Sequence, residues 1–242
     1  MRLGIMQPYF LPYLGYFDLI RNTDRWIVFD TPQYIRHGWV NRNRILHPRS
    51  GWQYMIVPLR RHSHQAPIQD IEIDRGLPWQ QRIVGQLSHY RRRAPHYRFT
   101  VEFLREALDF SGASLACLNV HLLGRVCELL GIPFQGELLS DMSLALGAIE
   151  QPGDWALRIA TAVGASEYIN PPGGAALFDA AAFAAAGVTL TIRQPPGFEY
   201  PCPGYTFCEN LSIVDLLMWN SVAEISTFLS QHALPDSLSG DH

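Results

Sequence analysis

The sequence predicts an α/β fold built as three layers around a parallel sheet, with a helical insertion. Strand-like and helix-like stretches alternate within the first thirty residues, and the same alternation returns over residues 155–194. Between them the apolar residues recur at helical spacing. Short β runs separated by helices need crossover connections, and those go with parallel sheets covered on both faces. At 242 residues, 48% hydrophobic and 17% charged, the chain has ample core for a globular fold.

Residues 2–7 read as a short buried strand. The stretch GIMQPYFLPYLGYF (4–17) then passes through two prolines and several aromatics, and YFDLIRNT (16–23) predicts one or two helical turns. RWIVFD (25–30) is a second strand, rich in β-formers and ending on an acid; GWQYMIVPL (51–59) reads as a third. IQDIEID (68–74) alternates like an exposed strand. From Leu77 the period changes: PWQQRIVGQLSHYRRRA (78–94) places Ile83, Leu87 and Tyr90 on one helical face, with Pro78 suited to a first turn. TVEFLREALDF (100–110) and SLACLNVHLLGRVCELLGI (114–132) continue as helices, the second capped by Ser114 and stopped by Gly131. WALRIATAVGASEYINPPGG (155–174) reads as helix, glycine turn, strand and a Pro-Pro-Gly-Gly loop. FDAAAFAAAGVTLTIRQ (178–194) repeats helix, Gly187 and strand. The loop 195–209 holds Pro195, Pro196, Pro201 and Pro203, too rigid for a flexible linker, and SIVDLLMWNSVAEISTFLSQ (212–231) closes with helix. The organisation expected is one α/β domain over 1–232, with the helical insertion at about 78–150 and a disordered tail at 233–242.

All 19 basic residues are arginine. Without lysine there is no Schiff-base chemistry, no covalent pyridoxal phosphate and no Walker-type phosphate loop. Residues 1–100 carry 15 arginines against 6 acids, while residues 101–242 carry 4 against 16. Such segregation fits either a basic half facing an anionic ligand or two halves that pair with each other. The four cysteines (Cys117, Cys127, Cys202, Cys208) form neither a CxxC pair nor a small disulfide framework. The N-terminus meets Pro8 and Pro12 where a signal peptide needs an apolar run. No window reaches the roughly 18 unbroken apolar residues of a membrane helix. The expectation is a reduced, cytoplasmic protein without membrane contact.

Three stretches carry chemistry. The loop after the first strand is the first position at the ligand crevice of an open α/β sheet; there Gln7, Tyr9, Tyr13 and Tyr16 offer an amide, hydroxyls and flat faces, with core filling as the alternative. In FDTPQYIRHGWVNRNRIL (29–46), Gln33, Tyr34, Arg36, His37, Asn41, Arg42, Asn43 and Arg44 crowd into twelve residues. Guanidinium forks hold phosphate or carboxylate bidentately. Asp30 or His37 is a candidate general base, and Tyr13 is the third candidate catalytic group. Asp30 pairing with one of the arginines is the alternative. In EYINPPGG (167–174), Asn170 is held extended by the following proline, and Gly173 and Gly174 allow amides turned toward an anion, or simply a tight connection. His62 and His64 lack a nearby cysteine or carboxylate, so no metal is expected.

On GIMQPYFLPYLGYF, QYIRHGWVNRNRI, HYRRRAPHY, GASEYINPPGG..LFD and NLSIVDLLMWN, in that order, the chain resembles the WbqC-like protein family. The resemblance implies a role in bacterial surface-polysaccharide or other small-molecule biosynthesis. It maps family motifs onto Gln7, Pro8, Tyr13, Gly15, Tyr16, Gln33, Arg36, Asn41, Arg42, Asn43, Arg44, Asn170, Gly173, Gly174 and Asp215. A more distant likeness is to the HxGH nucleotidyltransferases, which implies a Rossmann-like, nucleotidyltransferase-like sheet. This chain departs from them by placing Tyr13 and Tyr16 where two histidines would stand, and by lacking a basic residue in ISTFLSQ (225–231). The function these readings imply is a transferase forming an amide by acyl or aminoacyl transfer to an amine on a small anionic acceptor, such as a nucleotide-linked amino sugar. An aminoacyl or acyl carrier is a candidate donor. The alternatives are an ATP-using nucleotidyltransferase or adenylating ligase, with ATP and magnesium as its cofactors, and a non-catalytic module binding a nucleotide or RNA.

Overall fold

A computed structural model describes residues 1–235; residues 236–242, most of the expected disordered tail, lie outside the described residues. At the start of that stretch, the Leu234 amide donates to Asn22 Oδ1 at 2.5 Å. Strands β1 (Arg2–Met6), β2 (Arg25–Val28), β5 (Gly136–Leu138), β6 (Glu167–Asn170) and β7 (Thr189–Ile192) form one parallel sheet. Its order is β5-β2-β1-β6-β7. The connections therefore run outward from β1 in one direction, then return to β6 and run outward in the other. The reversal falls between β1 and β6, where Gly4 is in register with Ile169, and ligands of open α/β sheets bind above the carboxyl ends of the strands at such a point.

Helices α1 (Leu14–Arg21), α4 (Leu115–Leu130) and α8 (Val222–Gln231) share one core with Trp26 and Val28. On the other face Leu3, Ile5 and Ile27 pack against α5 (Asp154–Ala162) and α6 (Ala180–Ala185). Gly4 has a packing reason on the first face: a Cβ there would lie 2.5 Å from the Trp26 ring. Ser114 caps α4 as expected, its Oγ accepting the Cys117 amide at 3.2 Å, and Gly131 ends it at φ 66°.

The segment between β2 and β5 departs from the sequence reading. It opens with an antiparallel hairpin, β3 (Arg42–Leu46) and β4 (Trp52–Ile56), separate from the main sheet, before α2 (Trp79–Gln86), α3 (Tyr97–Ala107) and α4. The third strand expected at 51–59 thus pairs with β3, which lies within the arginine-rich stretch 29–46 and for which no strand was expected. Residues 68–74 are not a strand: a 3-10 turn at Ile68–Asp70 is followed by single bridges at Glu72 and Ile73. The alternation there buries Ile68, Ile71 and Ile73 without a neighbouring strand to complete a ladder. The strand β5 falls within the expected helical insertion. Among the described residues no helix is long and apolar enough to cross a membrane.

Candidate functional site

Three of the motif stretches and helix α4 meet at one junction. Asn43, buried on the inner side of β3, donates from Nδ2 to the carbonyls of Phe10 and Leu11, each at 3.0 Å. Ser212 Oγ donates to the same Leu11 carbonyl at 2.7 Å, and the Ile213 amide donates to Pro12 O at 2.9 Å. The Ser212 amide donates to Arg44 O at 2.8 Å, which closes the loop back to β3. From α4, Asn119 Nδ2 donates to Pro8 O and Val40 O at 2.7 Å. The proline-rich crevice loop leaves its carbonyls free because its two prolines fix the turn, and these side chains satisfy them.

Beneath the junction lies a carboxylate that makes no ion pair among the described residues. Asp215, in the first turn of α7 (Ile213–Trp219), is fully buried. It accepts from the Tyr90 hydroxyl, from the Tyr200 hydroxyl at 2.6 Å and from the Leu46 amide at 3.2 Å. Burial pushes its pKa up, and the bonds from Tyr200, Tyr90 and Leu46 act against that rise. Tyr200 in turn forms part of the wall of a cavity.

That cavity, about 400 Å³, opens at the carboxyl edge of the sheet. Its near wall is the start of α1, with Tyr13, Leu14 and Gly15; its far wall is the proline-rich loop, with Pro195, Glu199, Tyr200, Glu209 and Asn210. No side chain among the described residues caps α1, so its first-turn amides offer a partial positive charge at this edge. Gly15 allows the close approach of the walls, since a Cβ there would meet the Tyr13 ring at 2.5 Å and Pro195 at 2.8 Å. Burial raises the pKa of the Tyr13 phenol, with Tyr9 and Asp18 adding to the rise, so it is a proton donor and not a base at neutral pH. Burial likewise raises the pKa of the Cys202 thiol, so it is not primed as a nucleophile. Among the described residues, the non-glycine positions with positive φ are Leu11 (41°), His37 (64°) and Asn210 (54°). The first belongs to the crevice loop and the last lines the cavity, where backbone strain tends to collect.

The residues expected at the site divide. Tyr13 lines the cavity, while Gln7 and Tyr9 are half-buried on the same loop. Tyr16 is a core residue instead: it is 1% exposed, and its hydroxyl donates to Gln7 O at 2.7 Å. Asp30 is 1% exposed, and Ser140 occupies both its oxygens, the amide at 3.0 Å and the hydroxyl at 2.6 Å. It ties the end of β2 to the turn after β5, so it would have to release Ser140 to act as a base. His37 is exposed on the approach to β3, with Nδ1 3.3 Å from Arg42. Tyr34 donates to Asn41 Oδ1 at 2.8 Å, Asn41 donates to Val57 O at 3.0 Å, and Gln33 donates to His64 O at 2.7 Å. These three hold the approach segment in place.

Arg42 lies 4.0 Å over the Tyr54 ring and donates to Gly38 O, while Arg44 lies between Trp39 and Trp52 and reaches Asn210 O at 3.3 Å. Arg36 is exposed. The arginines therefore face away from Asp30, and only Arg44 touches the cavity rim. Asn170 accepts from the Tyr168 hydroxyl at 2.8 Å and donates to Pro171 O at 2.7 Å. Gly174 packs against it, and Gly173 is exposed beside them at the end of β6. Glu199 and Glu209 went unread because single acids in a loop carry no pattern.

The model of the WbqC-like protein family matches residues 7–227. A protein of Mycobacterium tuberculosis (strain ATCC 25618 / H37Rv), named Uncharacterized protein Rv1507c, is 30% identical over 232 residues, which cover 94% of this chain and 97% of that one. No solved structure matches the chain.

Proposed function

This chain belongs to the WbqC-like protein family, which suggests a biosynthetic role, and from that premise we propose that it is a transferase forming an amide on a small acceptor bearing an amine and an anionic group. The observation that carries the reading is that Glu199 and Glu209 share one cavity with the uncapped start of α1. The two walls suit the two ends of such an acceptor. The α1 amides and the rim guanidinium of Arg44 favour its phosphate or carboxylate, and the carboxylates opposite favour its ammonium. A glutamate takes the amine proton as the nitrogen attacks the donor's acyl carbon. The C–N bond forms, the bond from that carbon to the donor's thiol sulfur or alcohol oxygen breaks, the glutamate returns the proton to that leaving atom, and the Tyr13 phenol hydrogen-bonds the carbonyl oxygen. Glu199 and Glu209 take over here the role first sought in Asp30 and His37.

The strand order supports a second reading, adenylyl transfer with ATP and magnesium, because it sets the reversal between β1 and β6 beside the start of α1. Against it, Tyr16 has its hydroxyl committed to Gln7 O, where a phosphate-facing side chain would be needed.

The test begins with mass spectrometry of small molecules that co-purify with the native protein. Panels of amino sugars and amino acids, free and nucleotide-linked, are then incubated with acyl and aminoacyl thioesters and esters. The expected result is an amide product whose rate falls at least about 100-fold in Glu209→Gln or Glu199→Gln, the scale of one general base. Pyrophosphate release from ATP without any amide product would replace this reading with the second one.

A further inference from the structure

The outer face of the β3–β4 hairpin has a composition that the cavity does not explain. Strand alternation turns Arg42 and Arg44 outward on β3, opposite Ile56 and Tyr54 on β4, while Asn43 and Ile45 face the core. Trp52 and Tyr54 meet edge to face at 4.9 Å. The guanidinium carbon of Arg42 lies 4.0 Å from the Tyr54 ring centre, and that of Arg44 5.1 Å from both Trp39 and Trp52. Trp52 is 43% exposed, Ile56 46% and the neighbouring Ile35 64%, so the face is open as well as aromatic. No ion pair among the described residues involves Arg36, Arg42 or Arg44.

We propose that this face is a binding platform for single-stranded nucleic acid. Flat rings accept bases by stacking, and guanidiniums set among them neutralise the backbone; that pairing is the physical signature of sequence-tolerant single-strand binding. Five-residue strands span about 17 Å, longer than one nucleotide, so the ladder of Trp39, Trp52 and Tyr54 offers more than one stacking position. Charge complementarity with Arg36, Arg42 and Arg44 favours an anionic occupant. An apolar protein partner would leave the arginines desolvated and unpaired. Arg44 joins the platform to the cavity rim through Asn210 O, so a strand lying here would end beside the cavity.

The experiment is fluorescence anisotropy of the full chain with a labelled ten-nucleotide RNA, and with DNA of the same sequence, over a salt series. Mononucleotide and polyglutamate serve as competitors. Binding should weaken with salt, and Arg36→Gln should flatten the log–log slope by about 0.7, one phosphate contact on a single strand. Trp52→Ala should weaken binding about 5- to 150-fold, the range of one lost stacked base. Both side chains are exposed, so their thermal midpoints should stay near wild type, which separates lost binding from lost folding. Absence of binding at low salt, displacement by polyglutamate as readily as by unlabelled RNA, or wild-type affinity in Trp52→Ala would each overturn the proposal. Displacement by mononucleotide at equal base concentration would also overturn it, in favour of a single-nucleotide site. None of these outcomes bears on amide formation, which is read by product.

Discussion

Replacing Asp215 by alanine tests how the buried junction is held. Asp215 accepts from two tyrosine hydroxyls and the Leu46 amide. The amide keeps a partner after truncation, because the Tyr90 oxygen also accepts it at 2.9 Å. Two hydroxyl protons are left unmet in a dry interior, at about 1–3 kcal/mol each, so Asp215→Ala should cost about 2–6 kcal/mol. That is a large share of the 5–15 kcal/mol that typically separates folded from unfolded chains. Tyr200→Phe removes one hydrogen bond to a charged group and should cost about 1.5–3 kcal/mol. Replacing Asp215 by leucine together with Tyr200→Phe removes one donor with its acceptor and leaves the Leu46 amide on the Tyr90 oxygen, so it should cost less than Asp215→Ala alone. Urea denaturation followed by tryptophan fluorescence and far-UV circular dichroism gives all these values. The pH dependence adds an independent reading. A folded pKa above the unfolded value means the native state binds the proton more tightly. The stabilisation from this group is then complete below the unfolded pKa, about 3.9, and is lost as pH rises through the raised folded value. The gap between wild type and Asp215→Asn should therefore narrow as pH rises across that window. A loss under about 1 kcal/mol in Asp215→Ala, or a gap that widens with pH, refutes the assignment of a buried, desolvated carboxylate.

Asn43→Ala removes the donor shared by the Phe10 and Leu11 carbonyls. It should cost about 1–3 kcal/mol in urea and speed amide hydrogen exchange in residues 9–13, and unchanged exchange there would mean that the loop is held by its prolines alone. Arg193 makes a bidentate pair with Asp18, whose side chain is 1% exposed. Arg193→Ala should cost about 3–5 kcal/mol by stranding that charge, and Arg193→Lys should recover only part of it because the fork is lost; full recovery by lysine would contradict the geometry. Gly15→Ala places a methyl against the Tyr13 ring and Pro195. It should lower stability by about 1–3 kcal/mol and abolish amide product, so a variant that keeps wild-type turnover removes this cavity from consideration.

The parallel sheet was legible because its strands are short apolar runs bounded by glycine, proline or helix caps, signals that act within a few residues. The hairpin was not. The outward arginines of RNRIL give β3 the composition of a solvated loop, and only pairing with β4 makes it a strand. β5 is three residues long and owes its place to the edge of β2, with Arg25 held by Glu137 at 2.7 Å across the boundary. The chemistry suffered more than the fold. Asp30 looks like a base beside arginines until Ser140, far along the chain, takes both its oxygens. The Tyr90, Tyr200 and Asp215 cluster comes from three distant segments, so no local pattern announces it.

The motif residues now divide by what they touch. Asn43 and Ser212 reach backbone carbonyls far away in sequence, Asp215 accepts from Tyr90, Tyr200 and the Leu46 amide, and Tyr16 closes the crevice loop on itself. They make the junction rigid, and a rigid junction is what fixes the start of α1 against the proline-rich loop. A cavity between a helix start and a loop of four prolines keeps its shape only if both walls are anchored to the same body. Here Ser212 and Ile213 anchor the far wall to the carbonyls that Asn43 anchors from the hairpin. The family motifs therefore build the frame. Glu199 and Glu209, which line the cavity and which the proposed reaction uses, sit on the segment that this frame supports.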